Sequence, residues 1–179
     1  MLGVIKYMST NAQEDFLFNV KREIKQKIKT ENKDLEELNK EKEELESAVK
    51  GYSNYYDELE KFIIESMQDF SQNEEDLPSY FRSNINEVYQ NYVHIKHDAK
   101  EEIDTLTRYM DDCKRKQNST KRTLKFYRSQ YLDSDFFEEC LPLVALYQEK
   151  IDLYEENYKL TQQTIKELEK IFKKLENWK

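Results

Sequence analysis

Apolar residues recur along the first part of the chain at alternating steps of three and four. Between Leu17 and Phe70, twelve of the sixteen positions on this register are apolar, against 37% of the whole chain. Such steps bring side chains to one side of an α-helix, and a sustained seven-residue repeat is typical of coiled coils. The pattern therefore predicts one long helix over about 11–70. The polar exceptions on this register are Lys21, Glu31, Lys42 and Ser66.

Two further helices with the same repeat are predicted, over about 79–132 and 136–178. Turn-forming residues separate the three segments, at 71–79 and again at 133–135. The second register weakens across 117–120, which we interpret as a soft spot in the helix. The third register contains Phe137, Leu141, Val144, Tyr147, Ile151, Tyr154, Tyr158, Ile165, Leu168, Phe172 and Leu175.

The composition supports few and very long elements. The chain has two Gly and two Pro, so it has little of the turn chemistry that many chain reversals need. Thirteen Tyr and nine Phe argue against a disordered chain. Because short connections make sequential helices antiparallel neighbours, we predict an all-α fold, an elongated antiparallel three-helix coiled-coil bundle. It forms one domain over 1–179, and a dimer of such bundles is a close alternative.

The predicted turn near residue 75 gives a rough alignment of the first two helices. It places Gly51 level with Ala99, where two small residues would allow the helices to approach closely. The simpler interpretation of Gly51 is a tolerated weak point that costs about 1 kcal/mol relative to Ala.

Large apolar side chains concentrate near residues 60–90, at the end of the bundle that the shorter third helix does not reach. Two helices bury one apolar stripe between them, and Phe62 and Ile64 lie off that stripe. An apolar surface left over there would bind a partner protein or a second copy, unless the tip packs on itself. The candidate partner-binding residues are Phe62, Ile63, Ile64, Met67, Phe70, Leu77, Tyr80 and Phe81.

Basic side chains concentrate at 21–29 and at 114–128, which the antiparallel alignment brings level with each other. The rest of the chain is strongly acidic, and the net charge is −8. A basic surface attracts the phosphates of nucleic acid or anionic lipid, although the acidic residues at 133–139 lie close enough to neutralise it. The candidate anion-binding residues are Lys21, Arg22, Lys25, Lys121, Arg122, Lys125 and Arg128.

Residues suited to catalysis or metal binding are sparse. His94 and His97 lie close to Asp98 in sequence, but both histidines fall off the apolar register and so face water. Cys113 and Cys140 are out of level in the alignment, so we expect two free thiols in a reducing compartment. Two glycines cannot form a glycine-rich phosphate loop. We therefore expect no enzyme activity, cofactor, metal site or small-molecule substrate.

No segment approaches the roughly 18 apolar residues of a membrane-spanning helix, and the first eight residues are too short for a signal peptide. We expect a cytoplasmic, non-enzymatic protein–protein interaction or assembly element, a scaffold or adaptor that engages another protein or forms a homodimer. One alternative is a binder of nucleic acid or anionic membrane through its basic end.

A helical secretion-associated substrate or chaperone is a further alternative. Type VII secretion substrates are helical hairpins that carry a Trp-x-Gly turn and a Tyr-x-x-x-Asp/Glu signal. Tyr56 and Glu60 have a spacing similar to that signal, but no glycine follows Trp178, and no family is identified.

Overall fold

Three long α-helices account for nearly all the residues that a computed structural model describes. Helix α1 spans Thr10–Gln72, α2 spans Tyr80–Tyr131 and α3 spans Phe137–Glu176. The structure describes residues 10–72, 80–131 and 136–176, without the side chains of 10–11, 59–60, 62–72, 80–93, 95 and 175–176. No strand occurs in those ranges. The predicted all-α class and the three predicted helices are confirmed, with every end within about two residues of its predicted position.

Helix α3 shows how local sequence favours these elements. Glu138 and Glu139 lie in its first turn and Lys173 and Lys174 in its last, the arrangement that complements the helix dipole. Pro142 lies inside the helix, close to its start, and α3 continues through it. One proline near a helix start removes a single backbone hydrogen bond, which the rest of a 40-residue helix outweighs.

The helices divide into two compact units. Unit 1 contains Met1–Lys42 and Asp112–Tyr158, and unit 2 contains Glu43–Asp111 and Lys159–Lys179. Each unit thus contains part of every helix, and in each of them the three helices pack as the predicted bundle. The prediction of one domain over 1–179 stays a prediction.

Contacts in unit 1 define the directions of the helices. Side-chain hydrogen bonds from α3 to α1 join residues that are consistently 116 to 119 positions apart, so α1 and α3 run parallel. Between α2 and α3 the separation shrinks toward the connection: Gln117 reaches Ile151, whereas Tyr131 contacts Phe136. Helix α2 is therefore antiparallel to α3, as short connections predict.

Aromatic side chains join two apolar clusters in unit 1. One cluster contains Ile24, Phe136 and Cys140, and the other is centred on Leu143. The clusters are linked by tyrosine rings, whose centroids lie 5.5 Å apart for Tyr127 and Tyr147 and 5.7 Å apart for Tyr127 and Tyr131. The remaining members of the two clusters are Leu17, Val20, Ile28, Leu124, Tyr131, Val144, Tyr147 and Ile151.

Unit 2 has a smaller core built from all three helices. Leu45 of α1, Ala99 and Leu106 of α2, and Leu168 of α3 are buried together. Partly buried side chains surround them, namely Tyr52, Ile103, Tyr109, Leu160 and Ile165.

The register of α2 continues without interruption from Ala99 to Tyr131. Every position on the alternating three- and four-residue steps is buried or half-buried, including Gln117 and Thr120. Gln117 is 8% exposed and donates hydrogen bonds to the Ile151 carbonyl oxygen and to Glu155 Oε2. The predicted soft spot at 117–120 is therefore wrong, because partners on α3 satisfy the polar side chain within the core.

The buried face of α3 differs from the predicted register. Phe136 is 6% exposed, whereas Phe137 is 42% and Leu141 is 51% exposed. A continuous series of buried residues keeps the seven-residue spacing, but several of its members are polar. The series is Phe136, Cys140, Leu143, Tyr147, Lys150, Tyr154, Asn157, Thr161, Thr164, Leu168 and Ile171. Of the predicted register, Tyr147, Ile151, Tyr154 and Leu168 are buried as expected, and Phe137 and Leu141 are not. The prediction followed apolar residues alone and so missed the polar residues in the core.

Gly51 lies within α1 and does not support a close helix approach. Its backbone has no positive φ, and a Cβ built on it would meet no heavy atom within 4 Å. Open space beside Gly51 therefore replaces the close contact with Ala99 that the alignment suggested.

Candidate interaction surface

Helix α3 has two adjacent apolar stripes over its first four turns. One is the buried stripe that starts at Phe136, and the other lies one residue later, from Phe137 through Leu141 and Val144 to Ile151. Val144 packs partly against the core, but Phe137 and Leu141, four residues apart on one helix face, remain exposed. The apolar face of α3 is thus wider than three helices cover.

The second stripe leads into a groove between α2 and α3 in unit 1. This groove has a volume of about 320 Å³ and contains Gln148 and Ile151 on its α3 side. Lys121, Lys125 and Arg128 line its α2 side, and all three side chains are exposed. None of them forms an ion pair with a carboxylate in the described part of the chain. We call this surface, with Phe137 and Leu141, the α2–α3 groove.

The basic residues Lys21 and Lys25 of α1 lie near Glu139 of α3 and not in the α2–α3 groove. Lys21 Nζ is 2.5 Å from Glu139 Oε1 of α3, and the charge of Lys25 also acts on that carboxylate. The hydrogen bond to Lys21 is the largest cause that lowers the pKa of Glu139. Nine residues, or about two and a half helical turns, separate Glu139 from Gln148, which places them on opposite sides of α3. Lys21 and Lys25 therefore lie on the other side of α3 from Lys121, Lys125 and Arg128.

Two predicted basic residues have no place in the groove. Arg22 and Arg122 are exposed, and neither is among the residues that line it.

The predicted apolar tip lies outside what the structure describes at the level of side chains. Leu77 is outside the described residues altogether, and for the others only the helical backbone is described. The partner-binding role therefore stays a prediction for Phe62, Ile63, Ile64, Met67, Phe70, Leu77, Tyr80 and Phe81.

A buried polar layer joins α1 to α3 in unit 1. Lys150 Nζ donates hydrogen bonds to Glu31 Oε2 at 2.6 Å and to Asp34 Oδ2 at 2.9 Å. The Tyr147 hydroxyl donates to Glu31 Oε1 at 3.0 Å. The side chains of Lys150 and Glu31 are 7% and 11% exposed, so this ion pair is largely removed from water. A polar contact at one level of a coiled coil fixes how far one helix is displaced along another.

The layer also changes how its members titrate. Burial, together with the charge of Glu31 and the hydrogen bond to it, raises the pKa of Tyr147 well above its ordinary value. Burial acts to lower the pKa of Lys150, but its hydrogen bonds to Glu31 and Asp34 outweigh that effect and raise it. Both groups therefore keep their protons at neutral pH and act as hydrogen-bond donors.

The candidate histidines and cysteines form no shared site. His94 is exposed, and the ring nitrogens of His97 lie 3.8 Å from Asp98 Oδ1 and 3.7 Å from Glu101 Oε1. Cys113 and Cys140 are buried and form no disulfide bond. In the described ranges no group of three His, Cys, Asp or Glu side chains is arranged to hold a metal ion. None of the described helix segments is apolar over a length sufficient to cross a membrane.

Comparison of the chain with protein-family models, curated proteins and solved structures finds no match. The functional proposal for this chain therefore rests on the geometry of the α2–α3 groove.

Proposed function

We propose that this chain is a non-enzymatic protein–protein interaction element that accepts an acidic amphipathic helix of another protein in the α2–α3 groove. The observation that carries the proposal is the exposure of Phe137 and Leu141 on a stripe that continues into the groove. Large apolar side chains in a row on a helix surface are typical of sites that bury another helix.

The length of the stripe suits a helix of several turns. Ile151 is buried, so the exposed part of this face runs from Phe137 and Leu141 to Gln148, which lies eleven residues, or about 16 Å at 1.5 Å per residue, beyond Phe137. A partner helix of about three turns would cover this distance. It would place apolar side chains at i, i+3, i+4 and i+7 against the stripe.

The charge of the opposite rim favours an acidic partner. Lys121, Lys125 and Arg128 line the groove and form no ion pair with a carboxylate of the described residues. Acidic residues along one flank of the incoming helix would complement these charges and set its orientation, while basic residues would be repelled.

Fluorescence anisotropy with two designed helical peptides tests the proposal. Both carry leucines at heptad positions, and their flanking positions are all Glu in one peptide and all Lys in the other. We expect the Glu peptide to bind at least about tenfold more tightly, a difference of about 1.4 kcal/mol. The double variant Phe137→Ser, Leu141→Ser should lose about tenfold in affinity and keep its helicity, because both side chains are exposed.

Phe126 provides a matched control, since it is a 52% exposed phenylalanine of α2 that does not line the groove. Phe126→Ser should leave binding unchanged. Equal losses in Phe126→Ser and in the Phe137/Leu141 variant would contradict the proposal, because they would show unspecific apolar adhesion.

Two further measurements distinguish the proposed partner helix from other occupants of the groove. A dimer by light scattering that becomes a monomer in the Phe137/Leu141 variant would show that the groove binds a second copy. Binding of duplex RNA or anionic vesicles that Lys121→Glu and Lys125→Glu abolish, and Phe137→Ser with Leu141→Ser does not, would favour the anion-binding alternative.

A further inference from the structure

Unit 2 contains a hollow of about 510 Å³ that residues of all three helices line. This volume is within the range of roughly 300–1,000 Å³ that is usual for small-molecule sites. On α1 the lining includes Ala48 and Gly51, and a Cβ built on Gly51 would have no atom of another helix within 4 Å. On α3 it includes Leu168 and Ile171, which are 3% and 1% exposed. The hollow thus has an apolar floor beside a gap left by small side chains.

Two tyrosines and two carboxylates complete the lining. Tyr52 and Tyr55 belong to α1, and Asp98 and Glu102 belong to α2. Burial raises the pKa of both tyrosines, and the charge of Glu102 raises that of Tyr52 further, so Glu102 acts directly at the phenol. Both rings are uncharged at neutral pH and present aromatic surface next to negative charge.

The carboxylates have few positive neighbours. In the described residues, no lysine or arginine lies within ion-pair distance of Asp98 or Glu102, and His97, which carries a charge only when protonated, is 3.8 Å from Asp98. Unit 2 also accounts for the whole net charge of −8, because unit 1 has equal numbers of acidic and basic residues. The charge of unit 2 and of the two carboxylates therefore favours a cation in the hollow.

We infer that this hollow is a binding site for a small organic cation, whose apolar body fills the space beside Gly51 and whose charged group lies against Asp98 and Glu102. Aromatic side chains attract cations through their ring faces, and the two carboxylates add a direct charge interaction. The site is distinct from the α2–α3 groove, which belongs to unit 1 and carries the opposite charge.

The test uses the full chain and three probes with the same aromatic body: 1-naphthylmethylammonium, the neutral 1-naphthalenemethanol and the anionic 1-naphthylacetate. Isothermal titration calorimetry and ligand-observed NMR measure their binding. The ammonium should bind at least about tenfold more tightly than the carboxylate, with the alcohol between them. No detectable binding of the ammonium at millimolar concentration, or equal binding of all three probes, would overturn the inference.

Two variants locate the site. Gly51→Leu places an isobutyl group in open space and should reduce affinity for the ammonium at least about tenfold without loss of helicity. The double variant Asp98→Asn, Glu102→Gln should equalise the ammonium and the alcohol while leaving binding of the alcohol unchanged. It tests the inference even if Gly51→Leu misfolds.

Glu46→Gln is the control, because Glu46 is an exposed acid of α1 in unit 2 that does not line the hollow. This variant should bind the ammonium as the wild type does. Wild-type binding by the Asp98/Glu102 variant would refute the site.

Discussion

Lys150 Nζ on α3 lies 2.6 Å from Glu31 Oε2 on α1, and this pair is buried at a level where most coiled coils place two apolar side chains. Tyr147 and Asp34 complete the hydrogen bonding, so neither charge is left without a partner. A buried ion pair of this kind adds little net stability over an apolar pair, but breaking it is costly. Its main effect is therefore to select one alignment of α1 against α3.

Removal of one partner should expose that cost. Lys150→Met leaves the buried Glu31 carboxylate with only the Lys27 ammonium, 4.0 Å from its Oε1, and we expect the free energy of unfolding to fall by about 3 kcal/mol. The double variant Glu31→Leu, Lys150→Met should recover most of the loss, because no charge is then buried. Urea unfolding followed by circular dichroism measures both.

Lys116→Met is the matched control, since the Lys116 side chain is 53% exposed and its partner Asp112 keeps an ion pair with Arg115. This variant should lower the free energy of unfolding by less than about 0.5 kcal/mol. A Lys150→Met variant no less stable than this control would show that the buried pair does not hold the helices in register.

Stability should fall in alkaline solution. The pKa values of Tyr147 and Lys150 are raised above their ordinary values of 10.0 and 10.5, so the folded chain keeps these protons to higher pH than the unfolded chain. Their contribution is fully present below about pH 10 and is lost as the pH rises through the folded values. Unfolding free energies at pH 8 and pH 11 should show this decline, with a smaller decline in Tyr147→Phe. Stability that increased over this interval would contradict the assignment.

Two neighbouring phenylalanines test the register of α3. Phe136 is buried with Ile24 and Cys140, so Phe136→Ala should lower the free energy of unfolding by about 3–5 kcal/mol. Phe137 is exposed, so Phe137→Ala should cost less than about 1 kcal/mol. Thermal unfolding of the two variants measures both losses of stability. A larger loss in Phe137→Ala than in Phe136→Ala would support the register predicted from the sequence.

Replacement of Gly51 by a larger residue should increase the free energy of unfolding. Gly51→Ala should stabilise the chain by about 0.5–1 kcal/mol, because alanine loses less backbone entropy on folding and its methyl group meets open space. Ala48→Gly, one turn earlier on α1, should produce a loss of similar size. A destabilised Gly51→Ala variant would show that α1 needs its glycine for flexibility.

The seven-residue repeat was sufficient to predict the three helices and, where side chains are described, the buried faces of α1 and α2. Ile24, Leu38 and Leu45 are buried where the repeat places them, and Glu31, a polar exception on that register, is buried as well. An acid at a core position signals a basic partner at the same level of a neighbouring helix. That signal could have led to Lys150.

The register of α3 could not be read from apolar residues alone. Adjacent apolar pairs, such as Phe136 with Phe137 and Leu143 with Val144, fit two stripes equally well. Because the buried stripe also contains polar residues, an apolar pattern favours the neighbouring, wrong stripe. These polar core residues are Lys150, Asn157, Thr161 and Thr164. Alternating steps of four and three from Leu168 toward the start of α3 meet a buried residue at every step down to Phe136.

The two candidate sites depend on information that a linear pattern does not contain. The α2–α3 groove results from the true register of α3, which leaves Phe137 and Leu141 outside. The hollow in unit 2 arises because open space, and not a close helix contact, lies beside Gly51 and Ala99. Both are consequences of helix rotation and spacing, which the sequence pattern constrains weakly.

The lysine at the centre of the α3 face has a consequence for assembly. Two α3 helices set side by side in parallel, in matching register, would bring two Lys150 ammonium groups together, and two α1 helices would do the same with Glu31. Each helix thus discourages pairing with its own kind and accepts the other. Because the acid and the base lie at one level on different helices, the pairing of α1 with α3 is favoured over the pairing of α1 with α1 or of α3 with α3.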